Sequence, residues 1–216
     1  MSEHPQTRVP TKAHYSTNYV IGGRIYSYAH QLQTALVQKP TNLLEVGKGP
    51  GLVASALRAA GVIVVTLDVQ PDLEPDLVGS VTKIPARDNA YDVSLCCQVL
   101  EHLSFDQFVP ALRELWRVTS RKLVLSLPDL TRHYYIKLRL PKLKELAWEH
   151  SFPFWPPEGV PSLRVERDGH LWEVGCRGTT VRDVRVAILK SGWSIERTWR
   201  VPEMVWHRFF LLKKMS

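Results

Sequence analysis

Apolar residues along this chain fall into two alternating patterns. Short runs rich in Val, Leu and Cys recur at Leu43–Val46, Ile63–Leu67, Asp92–Cys97 and Lys122–Leu127. Each is too short for a helix, and the β-branched Val62 to Leu67 stretch in particular predicts a strand buried on both faces. Between these runs the spacing turns helical. Gly23 to Val37 is apolar at 25, 28, 29, 32, 35 and 36, and Val53–Ala60 is rich in Ala and Leu. Phe105, Phe108, Leu112, Leu115 and Trp116 make one stripe, opened by Ser104-Phe-Asp-Gln107 in the form of a capping box. Pro110 inside that stripe predicts a kinked or late-starting helix. A short third strand fits Asp76–Val78. A last helix runs from Thr179/Thr180 through Leu189 and ends before Gly192, and Trp193–Val201 with His207–Leu212 predicts a closing hairpin. Strands alternating with helices predict an α/β fold with a doubly wound sheet.

The first strand runs into Glu45-Val-Gly47-Lys48-Gly49-Pro50-Gly51. Glycines at alternate positions turn the backbone sharply and let a ligand approach main-chain N–H groups without meeting a Cβ. A dinucleotide fingerprint requires a further glycine three residues after the second, to pack helix on strand around a pyrophosphate. That position is Leu52. Glu45 also aims a carboxylate at the loop, which repels phosphate and suits an ammonium. The second strand ends in Asp68-Val69-Gln70, about 20 residues past the loop, where doubly wound folds hold a ribose. The fourth is set between Asp88-Asn-Ala-Tyr91-Asp92-Val and Gln98-Val-Leu-Glu101-His102-Leu.

Taken in order, the glycine loop, Asp68, Ile84-Pro-Ala-Arg-Asp88, Asp88-Asn-Ala-Tyr-Asp-Val93 and Val99-Leu-Glu-His-Leu103 resemble the type 11 class I S-adenosylmethionine (SAM)-dependent methyltransferases, the subgroup of the ubiquinone and menaquinone C-methylases. The motifs span Leu43 to Pro128, and the order of elements continues to the C-terminus. The resemblance implies a Rossmann-like seven-stranded sheet with an antiparallel terminal hairpin, SAM as cofactor, and methyl transfer to a small or medium-sized organic acceptor. It implies a cofactor cradle of Glu45, Gly47, Lys48, Gly49, Gly51, Asp68, Val69, Ser80, Val81 and Gln98, with the Lys48 main chain mattering more than its charge. Tyr28 and Gln31, on the helix before the first strand, are candidates to touch the methionine end. One departure is that Gly79-Ser80-Val81 offers a hydroxyl where many members carry an acid for the adenine amino group. A nicotinamide oxidoreductase is a second reading, against which Leu52 and Glu45 count. A methyltransferase-like protein that binds SAM or a partner without turnover is a third.

With 216 residues, 44% hydrophobic and 23% charged, the expectation is one domain over 1–216. Residues 129–177, aromatic and proline-rich after the fifth strand, are expected to be a substrate-lid insertion, although each of Trp148, Trp155 and Trp172 taken singly reads better as core. Within Gly169-His170-Leu-Trp172-Glu173 the expected general base is His170, facing the transferred methyl with Trp172 as wall and Glu173 nearby. His102 is the rival base, and a satisfied histidine with a salt-bridging glutamate is the plainer reading of His170 and Glu173. Cys96, Cys97 and Cys176 show no metal-ligand spacing and read as reduced thiols. His102 beside Glu101 has no further ligand at helical or loop spacing, so no metal site is expected. A polar N-terminus without a signal peptide and the lack of a membrane-length apolar run point to a cytoplasmic protein. The net charge of +7 and pI near 9.4 owe much to Arg182, Arg185, Lys190, Arg197, Arg200, Arg208, Lys213 and Lys214. This stretch reads as a solvated basic face. The same surplus also fits a footprint for nucleic acid, anionic lipid or an anionic small substrate; no nucleic-acid module is recognisable, and an anionic or aromatic small molecule is the expected partner.

Overall fold

The computed structural model describes residues 14, 15, 17–138, 146–152 and 169–215. Its strands are β1 (Asn42–Val46), β2 (Ile63–Asp68), β3 (Leu77–Val78), β4 (Tyr91–Cys97), β5 (Thr119–Pro128), β6 (Arg132–Leu138), β7 (Leu146–Phe152), β8 (Trp193–Val201) and β9 (Met204–Lys214). Seven of them form one sheet in the order β3-β2-β1-β4-β5-β9-β8. β1 to β5 are parallel where they pair, and β9 runs antiparallel between β5 and β8. This is the doubly wound sheet with an antiparallel terminal hairpin expected from the sequence. β6 and β7 form a separate antiparallel ribbon.

The helices are α1 (Thr17–Val20), α2 (Gly23–Val37), α3 (Leu52–Ala59), α4 (Phe108–Val118) and α5 (Val181–Lys190). They cover both faces of the sheet, and consecutive strand residues feed opposite cores. Leu43, Val93, Val124 and Phe209 join α2 and α3, while Leu44, Leu125 and Phe210 join α4, α5, Trp172 and Trp193. Each such fully buried Leu or Phe contributes about 1.5–3 kcal/mol.

The expected capping box at Ser104 does not form. Phe105–Gln107 is a 3₁₀ turn, and α4 begins at Phe108 with no side-chain cap. Pro110 lacks the N–H that would close an α-helical bond onto Asp106, so the helix starts late and Pro110 lies in its first turn, where no such bond is needed. A complete capping box appears instead at α5, where Thr180 accepts from the Asp183 N–H and Asp183 accepts from the Thr180 N–H.

The basic C-terminal stretch is not all a solvated face. Arg200 and Arg208 are buried and both pair with the fully buried carboxylate of Asp129. Lys214 Nζ donates to Asn89 Oδ1, Trp116 O and Thr119 O, over the Trp116 ring. Three of the eight cations therefore serve the fold. Of the expected lid, the proline-rich Phe152 to Pro161 stretch lies outside the described residues beyond Phe152 itself, and Trp155 with it. Among the described residues no helix is long and apolar enough to cross a membrane.

Candidate active site

The carboxyl ends of β1, β2 and β4 meet at the point where the strand order reverses, which is where open α/β sheets bind ligands. A cavity of about 300 Å³ opens there. Its floor is the glycine loop. Gly47, Gly49 and Gly51 have φ of 80°, 51° and 75°, all in the left-handed region. Their roles differ. A Cβ on Gly47 would meet Val99 Cγ2 at 2.4 Å, so that glycine makes room for the segment after β4. Gly49 borders the cavity under the Tyr15 ring, 3.5 Å from where its Cβ would be. Gly51 is the left-handed N-cap of α3 and does not line the cavity. Lys48 lines it, yet its ammonium is spent on the Leu73 and Glu74 carbonyls, each at 2.6 Å, tying the loop to the turn after β2.

Two acids face this space. Asp68 ends β2, is nearly buried, and accepts from the Gln70 N–H at 3.0 Å. Glu45, in β1, is 5% exposed, and its Oε2 is buried with no hydrogen-bond partner. Burial pushes its carboxyl up to about 8, against the opposing Ala54 N–H and the charges of Arg58 and Lys48. Val69, Val81, Ser80 and Gln98 complete that part of the wall. The Ser80 hydroxyl is 2.8 Å from Thr82 Oγ1. Gln98 sits at φ 57°, unusual for a non-glycine, held by its N–H to Ser126 O and its side-chain amide to Ser126 Oγ. Tyr28 and Gln31 reach the cavity from α2, as expected.

Sequence reasoning missed Tyr15, Tyr19, Arg24, Ser27 and His207, which also line it. His14, Tyr15 and Tyr19 pack edge to face, and Arg24 stacks on Tyr19 at 4.1 Å. The closely spaced aromatics before α2 were the available signal. Ser27 and His207 bond to each other at 2.9 Å across 180 residues, and no local pattern announces that.

Of the three candidate catalytic residues only His102 lines the cavity. His170 lies behind it, the two rings edge to face with centroids 5.1 Å apart, and His170 Nδ1 is 2.8 Å from Glu173 Oε1. Trp172 is core: it packs on Phe105 and Phe108 and donates its indole N–H to Leu103 O. Glu101 is fully buried beside the two histidines. Burial pushes its carboxyl up to about 7, with His170 opposing and Glu173 adding to the shift.

The sheet order and this glycine-loop cavity define a class I methyltransferase fold. Residues 44–125 match a type 11 family model described as a methyltransferase domain. No curated protein matches the chain in sequence. Solved structures match over most of its length. A 1,6-didemethyltoxoflavin-N1-methyltransferase from Burkholderia thailandensis, with bound 1,6-didemethyltoxoflavin and S-adenosylhomocysteine, is 11% identical, covers 93% of this chain and 82% of its own, and has a TM-score of 0.59. The magnesium protoporphyrin IX methyltransferase of Synechocystis PCC 6803, with bound S-adenosylhomocysteine (SAH), is 14% identical over 89% of this chain and 84% of its own, with a TM-score of 0.60. A [4+2]-cyclase, 13% identical over 90% and 81%, has a TM-score of 0.57. At such identities the likeness establishes the fold, and the reaction has to be argued from the site.

Gly49→Val is expected to abolish ligand binding at the loop in a folded protein, because a β-branched residue is strained at φ 51° and the loop must reshape beneath Tyr15. Calorimetry together with circular dichroism checks this. Unchanged binding would mean that the loop conformation matters only to the turn.

Proposed function

We propose that this protein is a SAM-dependent methyltransferase acting on a small or medium-sized organic acceptor. One observation carries the reading: a buried carboxylate oxygen, Glu45 Oε2, stands without a partner beside a glycine loop on the wall of a ligand-sized cavity. An unpaired buried acid is costly, and an α-ammonium group supplies the missing partner. The residues around it fit the rest of the cofactor. Asp68 would accept from the ribose hydroxyls, and Gly47 and Gly49 expose main chain. Gly79 to Val81 would border the adenine, with Ser80 or main chain in place of the usual acid. A pyrophosphate at the loop would meet the Glu45 carboxylate as repulsion, and Leu52 stands where a dinucleotide fingerprint needs glycine, which together disfavour a nicotinamide dinucleotide.

When bound, the cofactor supplies an electrophilic methyl on a sulfonium. The chain's own task is to hold acceptor and donor in line and to exclude water. Tyr28, Gln31, Arg24 and Tyr19 line the cavity from the N-terminal helices. Proton removal from a hydroxyl or ammonium acceptor falls on the wall that holds His102.

Thermal-shift and calorimetric titrations with SAM, SAH and NAD test the reading. SAM and SAH are expected to bind and NAD not to. Asp68→Ala is expected to weaken SAM at least about tenfold, since a charge-assisted bond contributes about 1.5–3 kcal/mol. NAD binding without SAM binding, or full SAM affinity in Asp68→Ala, would overturn it.

A further inference from the structure

We propose that Glu101, His102 and His170 form a divalent-metal site in the cavity wall. Each offers one ligand atom, and these atoms lie within 4.8 Å of one another. Closeness alone would be weak ground, because polar side chains often cluster. Two further features make this a ligand set.

The first is how the imidazoles are held. His102 Nδ1 is 3.1 Å from the Gly169 carbonyl oxygen. A carbonyl only accepts, so in that bond Nδ1 carries the hydrogen and the lone pair of the neutral ring is on Nε2. His170 Nδ1 is 2.8 Å from Glu173 Oε1, and donation to that carboxylate fixes the same tautomer. Metal-binding histidines are oriented in this way, one nitrogen donating to a carbonyl or carboxylate behind the ring while the other ligates. Both histidines of this cluster have such a support.

The second is Glu101. It is fully buried, and neither of its carboxylate oxygens has a hydrogen-bond partner. Its Oε1 is 4.0 Å from His170 Nε2. Behind the trio, Glu173 Oε2 is also buried without a hydrogen-bond partner. Two carboxylates in a low-dielectric region repel and are poorly solvated, and a dication bound by Glu101 and His170 supplies countercharge to Glu101 directly and to Glu173 through the His170 ring. Metal–ligand bonds of about 2.0–2.2 Å place ligand atoms nearer than 4.8 Å, so the three side chains would close slightly on the ion. Two imidazoles and a carboxylate suit Zn²⁺, Co²⁺ or Fe²⁺, whereas Mg²⁺ and Ca²⁺ prefer oxygen alone.

The site brings together residues 101 and 102, after β4, and residue 170, before α5. The Leu171 N–H donates to Glu101 O at 2.8 Å and fixes the two segments side by side. Since His102 lines the cavity, the ion would stand in its wall. On the methyltransferase reading, and resting on it, coordination there would lower the pKa of an acceptor hydroxyl; the metal site itself does not depend on that reading.

The test uses tag-free full-length protein, freed of metal by chelator and titrated with Co²⁺ alone, read by visible d–d absorption, and then with Zn²⁺ by calorimetry. One equivalent is expected to bind. Glu101→Gln and His170→Gln are expected to weaken it by about 100-fold or more, and Glu173→Gln by about 10- to 100-fold as an outer support. Circular dichroism confirms that the variants fold. If they do not, the wild-type titration decides: a saturable d–d band at one equivalent supports the site, and its absence overturns it. Wild-type affinity in both Glu101→Gln and His170→Gln also overturns it, as binding elsewhere. SAM titrations on the same samples separate the two proposals, because metal binding without SAM binding sinks only the methyltransferase reading, and the converse sinks only this one.

Discussion

Asp129→Asn is expected to destabilise the protein by about 3–5 kcal/mol. Asp129 lies just past β5, is fully buried, and stands between two arginines that come from β8 and β9. Arg200 is 2.5 Å from Oδ1, and Arg208 Nε donates to Oδ2. The same carboxylate accepts from the Thr131 N–H and hydroxyl at 2.7 and 2.6 Å. An amide of nearly equal shape keeps the packing but withdraws the charge that Arg200 and Arg208 share, and it turns an N–H₂ toward one of them. For a chain of this size the melting temperature should fall by roughly 10 °C. Asp88→Asn is the control, because Asp88 pairs with Arg117 at 2.8 Å but is 71% exposed, and such pairs contribute about 1 kcal/mol or less. Thermal unfolding of the two variants side by side settles the point: equal shifts would mean that the buried charge is not held as described.

That triad also shows where sequence reading stopped. The parallel strands were legible because burial on both faces leaves a continuous apolar run, as in Leu43–Val46 and Ile63–Leu67. That Glu45 and Asp68 would face the cavity was legible because both lie at the carboxyl ends of strands beside the glycine loop. Arg200 and Arg208 read as surface charge because their partner is some 70 residues earlier, and charge runs carry no mark of their pairing. His170 was chosen for its own chemistry, but what places it is its neighbour Glu173 and a distant segment, residues 101 and 102. The capping box at Ser104 was a correct local pattern overridden by Pro110. The β6–β7 ribbon went unread because its strands carry too many polar residues for a buried strand.

The second large effect concerns pH and Glu45. SAM affinity is expected to rise about tenfold per unit as pH climbs toward 8 in the wild-type protein, and to lose that slope in Glu45→Gln. The carboxyl has been raised by burial from the ordinary 4.5 to about 8, so near neutrality the unliganded protein holds it protonated. An ammonium ligand pairs with the ionised form, and binding must therefore expel a proton. Below pH 8 that expulsion costs 1.36 kcal/mol for each unit. Above about 8 the ligand's own α-amino group begins to lose its charge, so affinity should peak there. The unliganded protein shows the converse. Its native state binds one proton more than the unfolded chain between pH 4.5 and 8. The stabilisation from that proton is complete below pH 4.5 and is lost as pH rises to 8. Glu45→Gln should remove this loss, giving a variant that is more stable at pH 8 yet binds SAM about 10- to 100-fold more weakly. Calorimetry in buffers of different ionisation enthalpy counts the released proton directly, and a wild-type titration that releases none would separate Glu45 from the ammonium.

The place of β9 in the sheet bears on how the chain reaches this structure. β9 is the last strand in sequence but is internal in the sheet, with β5 along one edge and β8 along the other. During synthesis β1 to β5 can assemble as their residues emerge, while the outer edge of β5 waits for Met204–Lys214. Until then it presents an apolar strand with open hydrogen-bonding groups, the kind of surface to which another nascent chain can add. Pairings this distant in sequence also form slowly. The sheet is therefore completed only when the C-terminal segment docks, and its core, which takes in Trp193 and Phe210 as well as Leu44 and Leu125, closes with it.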